Sequence, residues 1–161
     1  MTLPNTIPTA SLGDLFPGVD GMHPLVVSGY LFRFRPEQMP ALLPHEQLVM
    51  AALVRHLRPR RVLEFGTAAG QTTYALAANA PSDAEIFTVD LLPEAQNDYT
   101  RQCMLGRSEL GACFAQPFSG GGRIVQALRR AGAPLPPEIQ AMAGRFDLIH
   151  VDGDHGYAGV R

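Results

Sequence analysis

From His45 to Leu57 the positions Leu48, Val49, Ala52, Leu53, His56 and Leu57 recur at three- and four-residue intervals, the period of one helix face. Pro59 ends that helix, because the residue before a proline is pushed out of the helical region. The apolar pattern then tightens. Arg61–Gly66 (Arg-Val-Leu-Glu-Phe-Gly) reads as a buried strand and Thr67–Gly70 as a tight turn. Gln71–Asn79, rich in Ala, Leu and Thr, reads as a helix that Pro81 breaks. Glu85–Asp90 (Glu-Ile-Phe-Thr-Val-Asp) is a second strand. Strand, helix and strand joined by short links predict a βαβ unit and hence a parallel sheet.

Further along, Pro93 to about Phe114 has helical propensity that Gly106 and Gly111 weaken, and Ser119–Gly122 is a glycine-rich loop. Arg123–Leu128 fits a third strand or the opening of a helix equally well. Pro136–Ala143 predicts a short helix, and Arg145–Asp152 a buried strand followed by the turn Gly153–Gly156. Residues 1–44 differ in kind, with seven prolines and four glycines. Proline brings no backbone N–H, so an irregular arm over 1–44, packed on one domain spanning 45–161, is expected. Its one apolar stretch, Pro24–Phe32, is placed to add an edge strand or cover a cleft.

Composition narrows the function classes. With 161 residues, 46% of them apolar, the chain can bury a sizeable core as one domain. Thirteen Lys+Arg against 15 Asp+Glu leave a charge of −2, which excludes a broad basic surface and with it a nucleic-acid backbone binder. Two cysteines, Cys103 and Cys113, build neither a disulfide framework nor a Cys-rich zinc site and fit reduced, partly buried thiols. No apolar run approaches the roughly 20 residues that span a bilayer. The amino-terminal residues lack the positive start and apolar block of a signal peptide. A soluble, cytoplasmic protein without a membrane partner is expected.

Two loops carry the chemistry. The first, Glu64-Phe-Gly66-Thr-Ala-Ala-Gly70, passes from a strand to a helix at the carboxyl edge of the sheet, where open α/β sheets bind ligands. Gly66 permits the sharp turn, and Gly70 permits close approach of a ligand to the backbone. The Gly-x-x-x-Gly spacing is neither the dinucleotide fingerprint nor a Walker loop. Glu64 at the strand end would repel a pyrophosphate and suits a ligand with a cationic amine. Asp90 ends the second strand 24 residues beyond Gly66, where a carboxylate can accept both hydroxyls of a ribose or cap the helix at Pro93.

The second loop is Asp152-Gly-Asp154-His155, expected to face the first. His155, with an ordinary pKa near ~6.5, is the natural general base for a hydroxyl nucleophile. Asp152 and Asp154 can orient that imidazole or hold a hard cation such as Mg²⁺ that acidifies the hydroxyl. The plain alternative is that Asp154 and His155 cap a following helix. Among the other histidines, His45 and His56 are expected to pack at the core or its boundary, and His150 to be a buried imidazole inside a strand. His23 lies unconstrained in the arm. Phe114 and Phe118 read as core residues.

The segments Val62–Thr73, Phe87–Asp90 and Phe146–His155 together resemble three landmarks of class I S-adenosylmethionine-dependent methyltransferases, in particular the small-molecule O-methyltransferase branch with Asp-Gly-Asp-His after the fourth strand. The resemblance covers about residues 45–161 and leaves the arm outside. It implies a Rossmann-like parallel sheet with helices on both faces, with S-adenosylmethionine as cofactor. Gly66, Thr67, Ala68 and Gly70 would contact the methionine part, Asp90 the ribose, and Leu91 the adenine. It also implies a metal-ligand role for Asp152 in the metal-dependent members.

Two departures accompany the resemblance. No acid occurs in Val125–Arg130, where the family places an acidic or small polar residue near the adenine. About four strands of a seven-strand core are present. In the family's 3-2-1-4-5-7-6 order, strand 145–152 would be an exposed apolar edge, completed by further sequence, a second copy or another chain. The leading expectation is methyl transfer to a hydroxyl oxygen of a small molecule. The rivals are an inactive cofactor-binding or assembly module and a nicotinamide-dependent oxidoreductase, against which the glycine spacing and Glu64 argue.

Overall fold

Val62, Ile86, Ile124 and Leu148 stand side by side on four parallel strands, and their alignment sets the architecture. The strands are β1 (Arg61–Phe65), β2 (Glu85–Leu91), β3 (Arg123–Arg129) and β4 (Leu148–Val151), in the order β3-β2-β1-β4. The computed structural model describes residues 10–18, 24–27, 44–92, 110–115 and 121–153. Three short helices and a longer one flank the sheet: α1 (Leu12–Leu15), α2 (Pro44–Leu57), α3 (Gln71–Asn79) and α4 (Pro137–Gln140).

Residues paired in a parallel register point to the same face. On one face Val62, Ile86, Leu76, Ala77, Ala84 and Val54 form a closed cluster under α2 and α3. On the other, Leu63, Phe87 and Val89 pack against Ile139 of α4, and the Phe146 ring meets Phe87 edge-on at 6.0 Å. Helices on both faces of a parallel sheet are the Rossmann-like arrangement. Burying side chains such as Leu76 and Ile86 completely contributes about 1.5–3 kcal/mol each.

Several elements depart from the pattern along the sequence. In α2 the buried positions are Gln47, Ala51, Ala52 and Val54, whereas Val49 is 40% and Leu57 50% exposed. The helix turns its small residues inward, because alanines let it lie close on α3. His45 and His56 are accordingly exposed, and the His56 ring rests against Phe16 instead of entering the core. Arg58 leaves the helix in the left-handed region (φ +50°) directly before Pro59. The segment 123–129, open between strand and helix, is a strand. The helix expected over 136–143 is only four residues long, followed by turns. Of the long helix expected over 93–114, only 110–114 is described, and it forms turns.

β4 is shorter than Arg145–Asp152 because Asp147 has another role. Its carboxylate accepts the N–H groups of Arg60 and Arg61 at 2.8 and 2.9 Å, and its own N–H donates to the Arg61 carbonyl. β1 and β4 are thereby joined before their ladder begins. Among the described strands β4 is an edge, and Ile149 and Val151 on it are each 55% exposed, as an apolar edge implies. From the arm, Val26 is gripped by the buried Asn79 amide, which accepts its N–H at 3.0 Å and donates to its carbonyl at 2.6 Å. Residues 24–27 form no strand, and 28–32 lie outside the described residues. No described helix is long and apolar enough to cross a membrane.

The N–H groups of Arg61 and Arg60 hold the Asp147 carboxyl below its ordinary pKa. A lowered folded-state pKa contributes stability that is present above the unfolded value and is lost as pH falls through the folded one. Asp147→Ala is therefore expected to lower the urea midpoint more at pH 7 than at pH 3. An equal loss at both values would show that the carboxylate charge does not matter.

Candidate functional site

Three chain segments reach the carboxyl edge of the sheet at β1, β2 and β4. Gly66 (φ +102°) follows β1, and its N–H donates to the Val89 carbonyl at 2.8 Å. Asp152 follows β4, and its N–H donates to the Phe65 carbonyl at 2.8 Å. A Cβ at position 66 would fall 2.2 Å from the Asp152 carbonyl oxygen and 2.9 Å from the Cα of Gly153. The loops after β1 and β4 therefore adjoin, and only glycine allows it.

Asp90, near the end of β2, ties the first loop down. One carboxylate oxygen accepts the Ala68 N–H at 2.8 Å and the other the Leu91 N–H at 2.7 Å. Ala68 adopts φ +43°, a left-handed conformation that costs a non-glycine residue about 1–2 kcal/mol. The hydrogen bond to Asp90 and a second from the Gly111 N–H to the Ala68 carbonyl hold it there. Asp90 is 8% exposed, and burial pushes its carboxyl above the ordinary pKa against the N–H groups that favour the charged form. The N–H groups of Ala68, Leu91 and Thr67 all favour the charged carboxylate, which has about four lone-pair sites and so keeps some acceptor capacity.

Glu64 occupies a different setting. It is fully buried, and its Oε2 accepts the Thr88 hydroxyl at 2.6 Å and the Thr73 hydroxyl as well. Its Oε1 lies 3.7 Å from Nδ1 of His150, an ion-pair separation rather than a hydrogen bond. The Glu64 carboxylate pulls the His150 pKa up against the effect of burial. In this arrangement the Glu64 carboxylate has no exposed surface and sits beneath the rim.

Gly70 (φ +84°) opens α3, and its N–H donates to the Thr67 carbonyl at 2.7 Å. The close approach that it permits is made by the protein itself: a Cβ there would lie 2.5 Å from the Phe114 ring. The 110–115 turn is fastened to the same loop, with the N–H groups of Gly111 and Cys113 donating to the carbonyls of Ala68 and Ala69. Phe114 is half-buried against this loop, and Cys113 is buried beside Ala69.

The structure thus gathers Gly66, Thr67, Ala68, Asp90, Leu91 and Asp152 at one rim, places Glu64 below it, and covers Gly70 with Phe114. Asp154, His155, His23 and Phe118 lie outside the described residues. Among the described residues no group of three or more His, Cys, Asp or Glu is arranged to hold a metal ion. Sequence reasoning missed Thr73, Thr88 and Gly111. Thr88 carried a signal, since it is the polar position within the run Ile-Phe-Thr-Val and pairs directly with Glu64.

A raised folded-state pKa gives stability that is complete below the unfolded value and lost as pH rises through the folded one. Relative to Asp90→Asn, the wild-type chain is thus expected to lose stability as pH rises above the ordinary carboxylate range. Paired urea titrations across that range would show the gap widening with pH, and a constant gap would refute the buried-charge account of Asp90.

No curated protein matches the sequence significantly. Solved structures similar to it include the O-methyltransferase TomG from Streptomyces achromogenes in complex with SAM, at 20% identity and a TM-score of 0.42, covering 70% of this chain and 45% of that one. An O-methyltransferase from Bacillus cereus in complex with SAH has 21% identity and a TM-score of 0.43, with coverage of 71% and 46%. The SAH-bound methyltransferase PaMTH1 from Podospora anserina has 22% identity and a TM-score of 0.46, with coverage of 79% and 48%. The chain spans about half the length of these proteins. A family model described as "Methyltransferase domain" matches residues 63–161, which take in β1, the glycine loop, Asp90 and the end of β4. The chain belongs to that methyltransferase family.

Proposed function

We propose that the carboxyl rim binds S-adenosylmethionine and that the protein transfers the methyl group to a hydroxyl oxygen of a small molecule. The observation that carries this reading is Asp90: a buried carboxylate at a strand end, held by backbone N–H groups of the glycine loop and of Leu91, with acceptor capacity left for a ribose diol. A diol donating to both oxygens would also offset part of the desolvation that raises the Asp90 pKa.

Charge along the rim orients the rest of the nucleoside. On the β1 and β4 side stands Asp152, with the Glu64 carboxylate buried beneath, and their charge favours an ammonium and a sulfonium. On the β3 side, Leu91 offers apolar surface to a base. The carbonyls of Thr67, Ala68 and Ala69 each accept a backbone N–H, whereas that of Gly66 accepts none from the described backbone and is left to receive the ammonium. Leu91 against the adenine and the 66–70 loop against the methionine part complete the assignment, with the contribution of Gly70 made through Phe114.

Methyl transfer from a sulfonium needs in-line placement and a deprotonated oxygen. Asp152, next to Gly66, marks the reacting end. In this reading the acceptor proton goes to His155, oriented by Asp152, or a Mg²⁺ held by Asp152 and Asp154 lowers the hydroxyl pKa. The exposed edge at β4, with Ile149 and Val151, is where further strands, a second copy or another chain would complete the sheet.

Calorimetric titration tests the reading. S-Adenosylhomocysteine is expected to bind and NAD is not, and Asp90→Ala is expected to weaken the nucleoside by about 1.5–3 kcal/mol, the range for hydrogen bonds to a charged group. Binding of NAD alone would point to an oxidoreductase, and binding of neither to an assembly module.

A further inference from the structure

Beneath the rim two threonine hydroxyls meet one carboxylate and a third meets one of the two, and counting protons fixes the direction of the chain. Each hydroxyl has a single hydrogen to donate. Thr88 and Thr73 both donate to Oε2 of Glu64. In the 2.7 Å contact between the Thr67 and Thr88 hydroxyls, Thr67 is therefore the donor. The order runs from Thr67 to Thr88 to Glu64, across the glycine loop, β2 and β1. All three residues are buried, Thr67 at 3% exposure and the other two at 0%. His150 stands beside Oε1, the oxygen that the threonines do not use.

The chain has a second end. Thr67 shares its peptide group with Gly66, and it is held at two points, by its hydroxyl on Thr88 and by its N–H on the Asp90 carboxylate. The Gly66 carbonyl accepts no N–H from the described backbone, while Ala68 is held by Asp90 on its N–H and by Gly111 on its carbonyl. Removing the Thr88 hydroxyl would release the Thr67 side chain and loosen the Gly66–Thr67 peptide, while the backbone contacts of Asp90 stay in place.

We propose that Thr88 is a positioning residue for the ligand's ammonium group, acting through Thr67 to hold the Gly66 carbonyl toward that cation. The inference rests on the nucleoside reading above and deepens it. Thr88 touches no ligand. It sets how strongly the amino-acid end of the ligand is recognised, while Asp90 sets the affinity for the ribose.

Two probe ligands separate those ends: S-adenosylhomocysteine, which carries the amino-acid group, and 5′-methylthioadenosine, which lacks it. Calorimetry with wild type and Thr88→Val is expected to show an about tenfold loss for the first and a change within about twofold for the second. Thr88→Ser, which keeps the hydroxyl, is expected to restore most of the loss. Thr73→Val removes a donor to Glu64 without touching the Thr67 contact and is expected to leave the ratio of the two affinities at the wild-type value. A variant that merely folds less well lowers both affinities together. An equal loss for both probes, no loss for either, or the same ratio change in Thr73→Val would overturn the inference while the nucleoside reading stands. Failure of both probes to bind the wild-type chain would overturn both.

Discussion

Any Cβ at residue 66 would lie 2.2 Å from the carbonyl oxygen of Asp152, and the shared rim depends on that close approach. Because Gly66 has no side chain, the ladder from β1 continues outward on both sides, to Val89 in β2 and, through the Phe65 carbonyl, to the Asp152 amide. The first loop can then bend over the sheet edge without pushing β4 away. A side chain there would force one of the two loops aside, since backbone atoms cannot yield as a flexible side chain can. The proximity of an acid on β4 to the glycine loop is a consequence of packing at one position.

Two carboxylates near this edge are buried in different ways. Glu64 meets only protein groups, two threonine hydroxyls on one oxygen and, 3.7 Å from the other, an imidazole nitrogen too far to hydrogen-bond. Asp90 is held by backbone N–H groups and reaches the surface. Burying a carboxylate costs several kcal/mol unless hydrogen bonds or counter-charges compensate. A group left partly compensated gains most from a ligand that completes its shell. In the proposed reading, Asp90 therefore faces the ligand and Glu64, wholly buried, organises the loop from below. The strained backbone of Ala68 belongs to the same economy, held by Asp90 on one side and by the 110–115 turn on the other.

Much of this arrangement was legible in the sequence. The buried strand from Arg61 to Phe65 and the helix to Asn79 are local patterns, and they mark the βαβ unit and the glycine loop at its turn. Asp90 was legible because a strand end is marked by the pattern on either side of it. What stayed hidden depends on contacts distant in sequence. The inward face of α2 was obscured because alanines, not the larger Val49 and Leu57, meet α3. Asp147 looked like part of a strand because nothing local shows that two arginine N–H groups wait for it across the sheet. The cover over Gly70 comes from Phe114, 44 residues away, and the Thr88–Glu64 contact follows only from the register of β1 and β2.

In the proposed reading a nucleoside lies on the carboxyl rim between Asp90 and the Gly66 turn. Backbone amide spectra recorded during titration with S-adenosylhomocysteine would locate it. The largest shifts are expected on Gly66, Ala68, Leu91 and Asp152, with Asn79 and Ala84 at the opposite edge unmoved. Shifts concentrated at that opposite edge, or spread evenly through the sheet, would contradict it.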